Sequence, residues 1–125
     1  MVIMKTEIIN NIVLCFPGGR IGNDSAADFE CNITRIINEH ETCDLILNMK
    51  HVSSIGSKCI AVLILFAQEM KGQDRLFSIC NPSDLVKKII SIFNAGSFIT
   101  VCQTEEDAIN AMLQVSVVSR SAVVT

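Results

Sequence analysis

Charge is scarce in this chain. Only 18% of its 125 residues are Asp, Glu, Lys or Arg, against about a quarter in ordinary soluble domains. The net charge is −3 and no run of Lys or Arg occurs. Binding nucleic acid through phosphate neutralisation needs clustered cations, so that function is disfavoured. The two histidines, His40 and His51, are too few and too far from any acid or thiol cluster to suggest a triad or a metal site. Asp24, Asp28, Glu39 and Glu41 read as caps and solvated faces rather than catalytic pairs. CxxC pairs are missing too. Cys15, Cys31, Cys43, Cys59, Cys80 and Cys102 stand at least 12 positions apart. That is the pattern of small buried hydrophobes in a reducing cytoplasm, not of a disulfide framework or zinc site. The longest uninterrupted apolar run, residues 59–67, falls short of the roughly 20 residues that cross a bilayer. No secretory pattern opens the chain. A cytoplasmic protein without cofactor, metal or catalytic residues is expected, and therefore not an enzyme.

Apolar residues are abundant. Half of the chain is hydrophobic, enough for one domain with a substantial core. Two short strands are expected over 6–9 and 12–16, with Asn10-Asn11 suited to a tight hairpin. Pro17-Gly18-Gly19 should end the second strand. Residues 18–22 then read as a glycine-rich loop that needs positive φ, since the Walker lysine and the spaced glycine fingerprint are absent. Asn23-Asp24-Ser25 offers N-cap oxygens to a first helix on which Phe29, Ile33, Ile36, Ile37 and His40 follow at helical spacing.

The centre of the chain is its most informative part. A short apolar strand over 45–49 is followed by a small polar loop over 50–56. A helix to about Lys71 comes next, apolar on nearly every face. Such a helix is either fully covered by neighbours or offers apolar area to a partner. Ser57 stands at its start, where free N–H groups and the helix dipole favour either a capping hydroxyl or a phosphate. Ser53 and Ser54 are neighbouring loop hydroxyls. Cys59, in the first turn beside Lys58, reads as a small buried hydrophobe, with an activated thiolate as the alternative.

The remaining pattern is a strand over 75–80, then Asn81-Pro82 as cap and first residue of a helix with the stripe Leu85, Val86, Ile89, Ile90 and Phe93. Gly96 should stop that helix. A fifth strand over 97–102 and a last helix capped by Thr104 complete the order ββαβαβαβα. Residues 115–125 could extend that helix, add an edge strand, or fray. The expected fold is a single α/β domain over 1–125, with a core over 6–114. Its sheet is mixed and mostly parallel, with helices mainly on one side.

This order of elements and joints resembles the STAS domain, the family of bacterial anti-sigma-factor antagonists and of cytoplasmic domains of sulfate transporters. The likeness rests on Ile55-Gly56-Ser57-Lys58-Cys59-Ile60 entering an apolar helix. Asn81-Pro82-Ser83, Ile92-Phe93-Asn94-Ala95-Gly96 and Thr104-Glu105-Glu106-Asp107 add to it. The family pattern has Asp, Ser, Ser, Gly where this chain has Gly56, Ser57, Lys58 and Cys59. The resemblance implies an interaction module in transcription regulation that binds a kinase-type anti-sigma factor, a histidine-kinase-like ATPase. It makes Ser57 the candidate phosphoacceptor, although the neighbouring Asp that would orient it is Gly56. Asn23, Asp24, Ser25, Ser53, Ser54, Gly56, Ser57, Lys58 and Ile60 are the expected partner contacts. A homodimer is compatible with a helix this apolar. The alternative is a nucleotide- or lipid-binding module, or an accessory subunit of a transport system.

Overall fold

The structure, a computed structural model, describes residues 4–123, with side chains described as far as residue 115. The chain opens with the hairpin β1 (Lys5–Ile9) and β2 (Ile12–Phe16). Its turn is Asn10-Asn11, both with positive φ (49° and 65°), as a two-residue turn matching strand twist requires. Asn11 also anchors the hairpin, donating through Nδ2 to the Thr42 carbonyl at 2.8 Å.

Two strands missing from the expectation follow. Gly18–Ile21 is β3 and His51–Ile55 is β5, and they pair in parallel as a separate two-stranded sheet. The expected glycine-rich loop and the expected polar loop over 50–56 are thus one ribbon. Neither has the alternation of a half-buried strand, and each is a strand only because the other supplies its hydrogen bonds. Of these residues only Gly19 has positive φ, at 75°.

The main sheet also contains β4 (Asp44–Asn48), β6 (Phe77–Cys80) and β7 (Thr100–Cys102), in the order β1-β2-β4-β6-β7. β1 is antiparallel to β2 and the other pairings are parallel. This is the expected mostly parallel five-stranded sheet, with β6 and β7 beginning later than the apolar pattern suggested.

Helices α1 (Ala26–Glu39), α2 (Ser57–Gly72) and α3 (Asp84–Ile92) share one core with Val13, Cys15, Leu45, Leu47, Phe77 and Ile79. α4 (Glu105–Val123) lies on the opposite face, where Ala108 and Met112 pack on Ile12, Leu14 and Ile46. The central strands β2, β4 and β6 are therefore buried on both faces, which explains the near-continuous apolar runs of β2 and β4. Of the alternatives for residues 115–125, the helix extension holds as far as Val123; residues 124 and 125 lie outside the described part.

Two helix boundaries differ from expectation. Asn81 does not cap α3: it has φ 53°, and Ser83 Oγ accepts the Val86 N–H at 3.2 Å. Gly96 does not stop α3. The helix ends at Ile92, and Asn94 turns the chain left-handed with φ 51°. Thr104 does cap α4, its Oγ1 accepting the Asp107 N–H at 3.1 Å.

Candidate functional site

Parallel pairing of β3 with β5 brings two segments together at the N-terminus of α2. One is the turn over residues 22–25 after β3; the other is Gly56 after β5. The Gly56 N–H donates to the Ile21 carbonyl at 2.8 Å, and the Ser25 N–H donates to the Gly22 carbonyl at 3.0 Å. Between them is a pocket of about 300 Å³ lined by Arg20, Asn23, Asp24, Ser54, Ile55 and Gly56 among others.

The N-terminus of α2 is capped from a distance. Gly56 occupies the N-cap position and has no side chain to offer. Asn23 takes that role, its Oδ1 accepting the Lys58 N–H at 2.9 Å. Ser57 is therefore the first helical residue and exposed, not the cap that its place in the sequence suggested. A Cβ at Gly56 would stand 2.8 Å from the Asn23 backbone nitrogen. This close approach, rather than an unusual φ, is what requires glycine there.

Cys59 faces inward with no exposed surface, and its Sγ donates to the Gly22 carbonyl at 3.5 Å. Burial pushes the thiol pKa up. The Gly56 backbone hydrogen bond lowers it and the negative charge of Asp24 raises it, and the net direction is upward. The thiolate reading is overturned. The helix dipole and Lys58 do not offset desolvation here.

The expected contact residues separate into three groups. Asn23, Asp24, Ser54 and Gly56 line the pocket, and exposed Ser57 and Lys58 continue its rim onto α2. Ser25 is half-buried beside them, and Ser53 is exposed on β5 but is not among the lining residues. Ile60 is corrected: it is 2% exposed and belongs to the core, because its place on α2 points at the sheet. The face of α2 that reaches solvent is Lys58, Ala61, Leu65 and Gln68, three or four residues apart. Leu65 is 62% exposed. Burial of Val62, Leu63, Phe66, Ala67 and Met70 accounts for most of the apolar excess of this helix.

Sequence reasoning missed Arg20, which lines the pocket from β3, and Leu65. Spacing from Lys58 would have found Leu65. Nothing in the sequence pointed to Arg20 without β3. Among the described residues no cluster of His, Cys, Asp and Glu could hold a metal ion, and no helix is long and apolar enough to cross a membrane.

The arrangement combines an open hollow lined by Arg20, Asn23, Asp24 and small residues, a neutral amide at a helix start, and an exposed apolar side chain further along the same helix. The family model of the STAS domain matches residues 4–108, and the chain belongs to that family. No curated relative matches it by sequence at a significant level. Its fold is similar to that of an anti-sigma factor antagonist from Mycobacterium paratuberculosis. The two are 18% identical with a TM-score of 0.75, over 89% of this chain and 93% of that one. It is also similar to unphosphorylated SpoIIAA, an anti-sigma factor antagonist, with 18% identity and a TM-score of 0.73 over 90% and 97%; SpoIIAA is a Bacillus cell fate determinant. A sulfate transporter family protein from Wolinella succinogenes is 17% identical, with a TM-score of 0.71 over 88% and 92%.

Proposed function

We propose that this chain is a cytoplasmic interaction module of the anti-sigma-factor-antagonist type, acting in bacterial transcription regulation. It docks on a kinase-type anti-sigma factor through the rim formed by Asn23, Asp24, Ser57 and Lys58, and through Leu65. The observation that carries this reading is the joining of an exposed Ser57 to an exposed Leu65 along one face of α2, beside the pocket. An apolar anchor next to polar, backbone-rich loops suits a protein partner. SpoIIAA, a protein of the same fold, exists in a phosphorylated form, which makes Ser57 the position to test as an acceptor. A phosphate there would be favoured by the helix N-terminus, yet would oppose docking, because a dianion desolvated in an interface is costly.

The test is an affinity pull-down from the source organism with wild type, Ser57→Asp and Leu65→Asp. The expected result is a histidine-kinase-like ATPase recovered by wild type and lost by both variants. Recovery by Ser57→Asp but not Leu65→Asp would keep the module and discard Ser57 as its control point. Recovery by neither wild type nor variants would overturn the reading.

A second reading follows from the pocket itself. Arg20 and the N-terminus of α2 both favour an anionic group, as a nucleotide-binding or transport-accessory STAS domain would need. A nucleotide panel that raises the melting temperature in wild type but not in Arg20→Ala would favour it.

A further inference from the structure

β1 is an edge of the main sheet and lies open on both sides. All five of its residues are exposed, Ile8 to 58%, and among the described residues no strand pairs with its outer edge. Which backbone groups face outward follows from the hairpin. Ile9 and Ile12 flank a two-residue turn, so they form a hydrogen-bonded pair. Glu7 and Lys5, two and four positions back, likewise point their backbone groups at β2. Thr6 and Ile8, together with Met4, turn theirs outward.

We propose that β1 is the interface for a second copy of this chain, the two β1 strands pairing antiparallel about a two-fold axis at Thr6. A symmetric interface must be complementary to itself, and the charges of β1 favour an axis at Thr6 over one at either neighbour, Lys5 or Glu7. With Thr6 opposite Thr6 of the other copy, Lys5 of each copy lies opposite Glu7 of the other. Both are non-hydrogen-bonded pairs, the arrangement with the closest side chains. On the reverse face Ile8 of each copy, 58% exposed, lies opposite the main chain of Met4 of the other, whose own side chain is 5% exposed and packed in its core. Outward backbone groups meet only at Met4, Thr6 and Ile8, as this register needs. Moving the axis one residue to Glu7 or to Lys5 sets like charges opposite each other. Lys5 and Glu7 already approach within 3.6 Å inside one copy, so the dimer would hold a ring of four alternating charges. The interface is independent of the α2 surface and does not rest on the proposed function.

The experiment is sedimentation of the full chain across a concentration series, with charge reversals. Lys5 and Glu7 side chains are 74% and 47% exposed, so the variants fold. Wild type is expected to self-associate. Lys5→Glu alone and Glu7→Lys alone each set like charges opposite each other and weaken the dimer about tenfold or more. Mixing the two variants makes every cross-strand pair opposite in sign, and a heterodimer of wild-type strength is expected. A wild type that stays monomeric at every concentration overturns the proposal. So does a dimer that neither reversal weakens, or one that the mixture fails to restore.

Discussion

Asn23 and Lys58 are 35 positions apart, yet the side-chain oxygen of the first caps the helix that begins beside the second, at 2.9 Å. The helix that presents Ser57 is thus anchored to the turn after β3 rather than to its own preceding residue. Asn23→Ala should cost about 1 kcal/mol, the usual value of an N-cap, while Asn23→Asp should retain the cap. Urea unfolding measures both.

Gly56→Ala should be worse than Asn23→Ala. The added Cβ meets the Asn23 backbone nitrogen at 2.8 Å, so the turn itself has to shift. Forced overpacking of this kind costs about 1–3 kcal/mol. Asn23→Gly should not rescue it, because the conflict includes main chain. The double variant, unfolded beside the two singles, checks this.

Arg75 is buried, and among the described residues it forms no ion pair. Its Nε donates to the Cys43 carbonyl at 2.7 Å and its Nη2 to the His40 carbonyl at 2.7 Å. It thereby joins the end of α1 to the approach of β6, a cation where the helix dipole is negative. Arg75→Met should destabilise by about 3 kcal/mol, since hydrogen bonds to a charged group are lost and buried carbonyls are left without donors. Arg75→Lys should recover only part, as one ammonium does not reproduce the fork.

Leu65 and Ile60 lie on the same helix with opposite consequences. Leu65→Asp should leave stability within about 0.5 kcal/mol, as surface changes do, yet abolish capture of the proposed partner. Ile60→Ala should cost about 2–5 kcal/mol. Thermal unfolding and partner binding, measured on both, separate the docking face from the core.

Alkaline pH should destabilise the protein through two thiols. Burial pushes Cys15 and Cys80 from an ordinary 9.0 up to about 12, with the Glu105 charge adding to the effect at Cys80. Above pH 9 the unfolded chain releases these protons and the folded chain keeps them. The contribution is whole below pH 9 and is lost as pH rises towards 12, at most about 1.4 kcal/mol per pH unit for each thiol. A Cys15→Ala, Cys80→Ala double variant should show a flatter decline between pH 9 and 10.5.

The five strands of the main sheet and all four helices were legible in the sequence because each has its own apolar period or its own start signal. Phe29, Ile33, Ile36 and Ile37 mark one face of α1, and Thr104 marks the start of α4. The ribbon of β3 and β5 was not legible. Gly18-Gly19-Arg20 and His51-Val52-Ser53-Ser54 have no strand period, and each gains its conformation from the other across 33 positions of chain. The site inherits that gap. Asn23, Asp24, Gly56 and Ser57 could be named from local signals, whereas Arg20 enters only when β3 exists. Ile60 was misplaced because on an almost uniformly apolar helix the pattern does not tell the buried face from the open one.

The sheet's two faces are unequally covered. Three helices lie over one and α4 alone over the other. Regions with few buried contacts open locally, at free energies below that of global unfolding. Amide protons of α4 should therefore exchange with solvent deuterium before those of β2, β4 and β6. In that opened form Ile12, Leu14 and Ile46 would be bared together. The most vulnerable moment of this molecule would thus be a brief lifting of its last helix, with three quarters of the sheet's covering helices still in place.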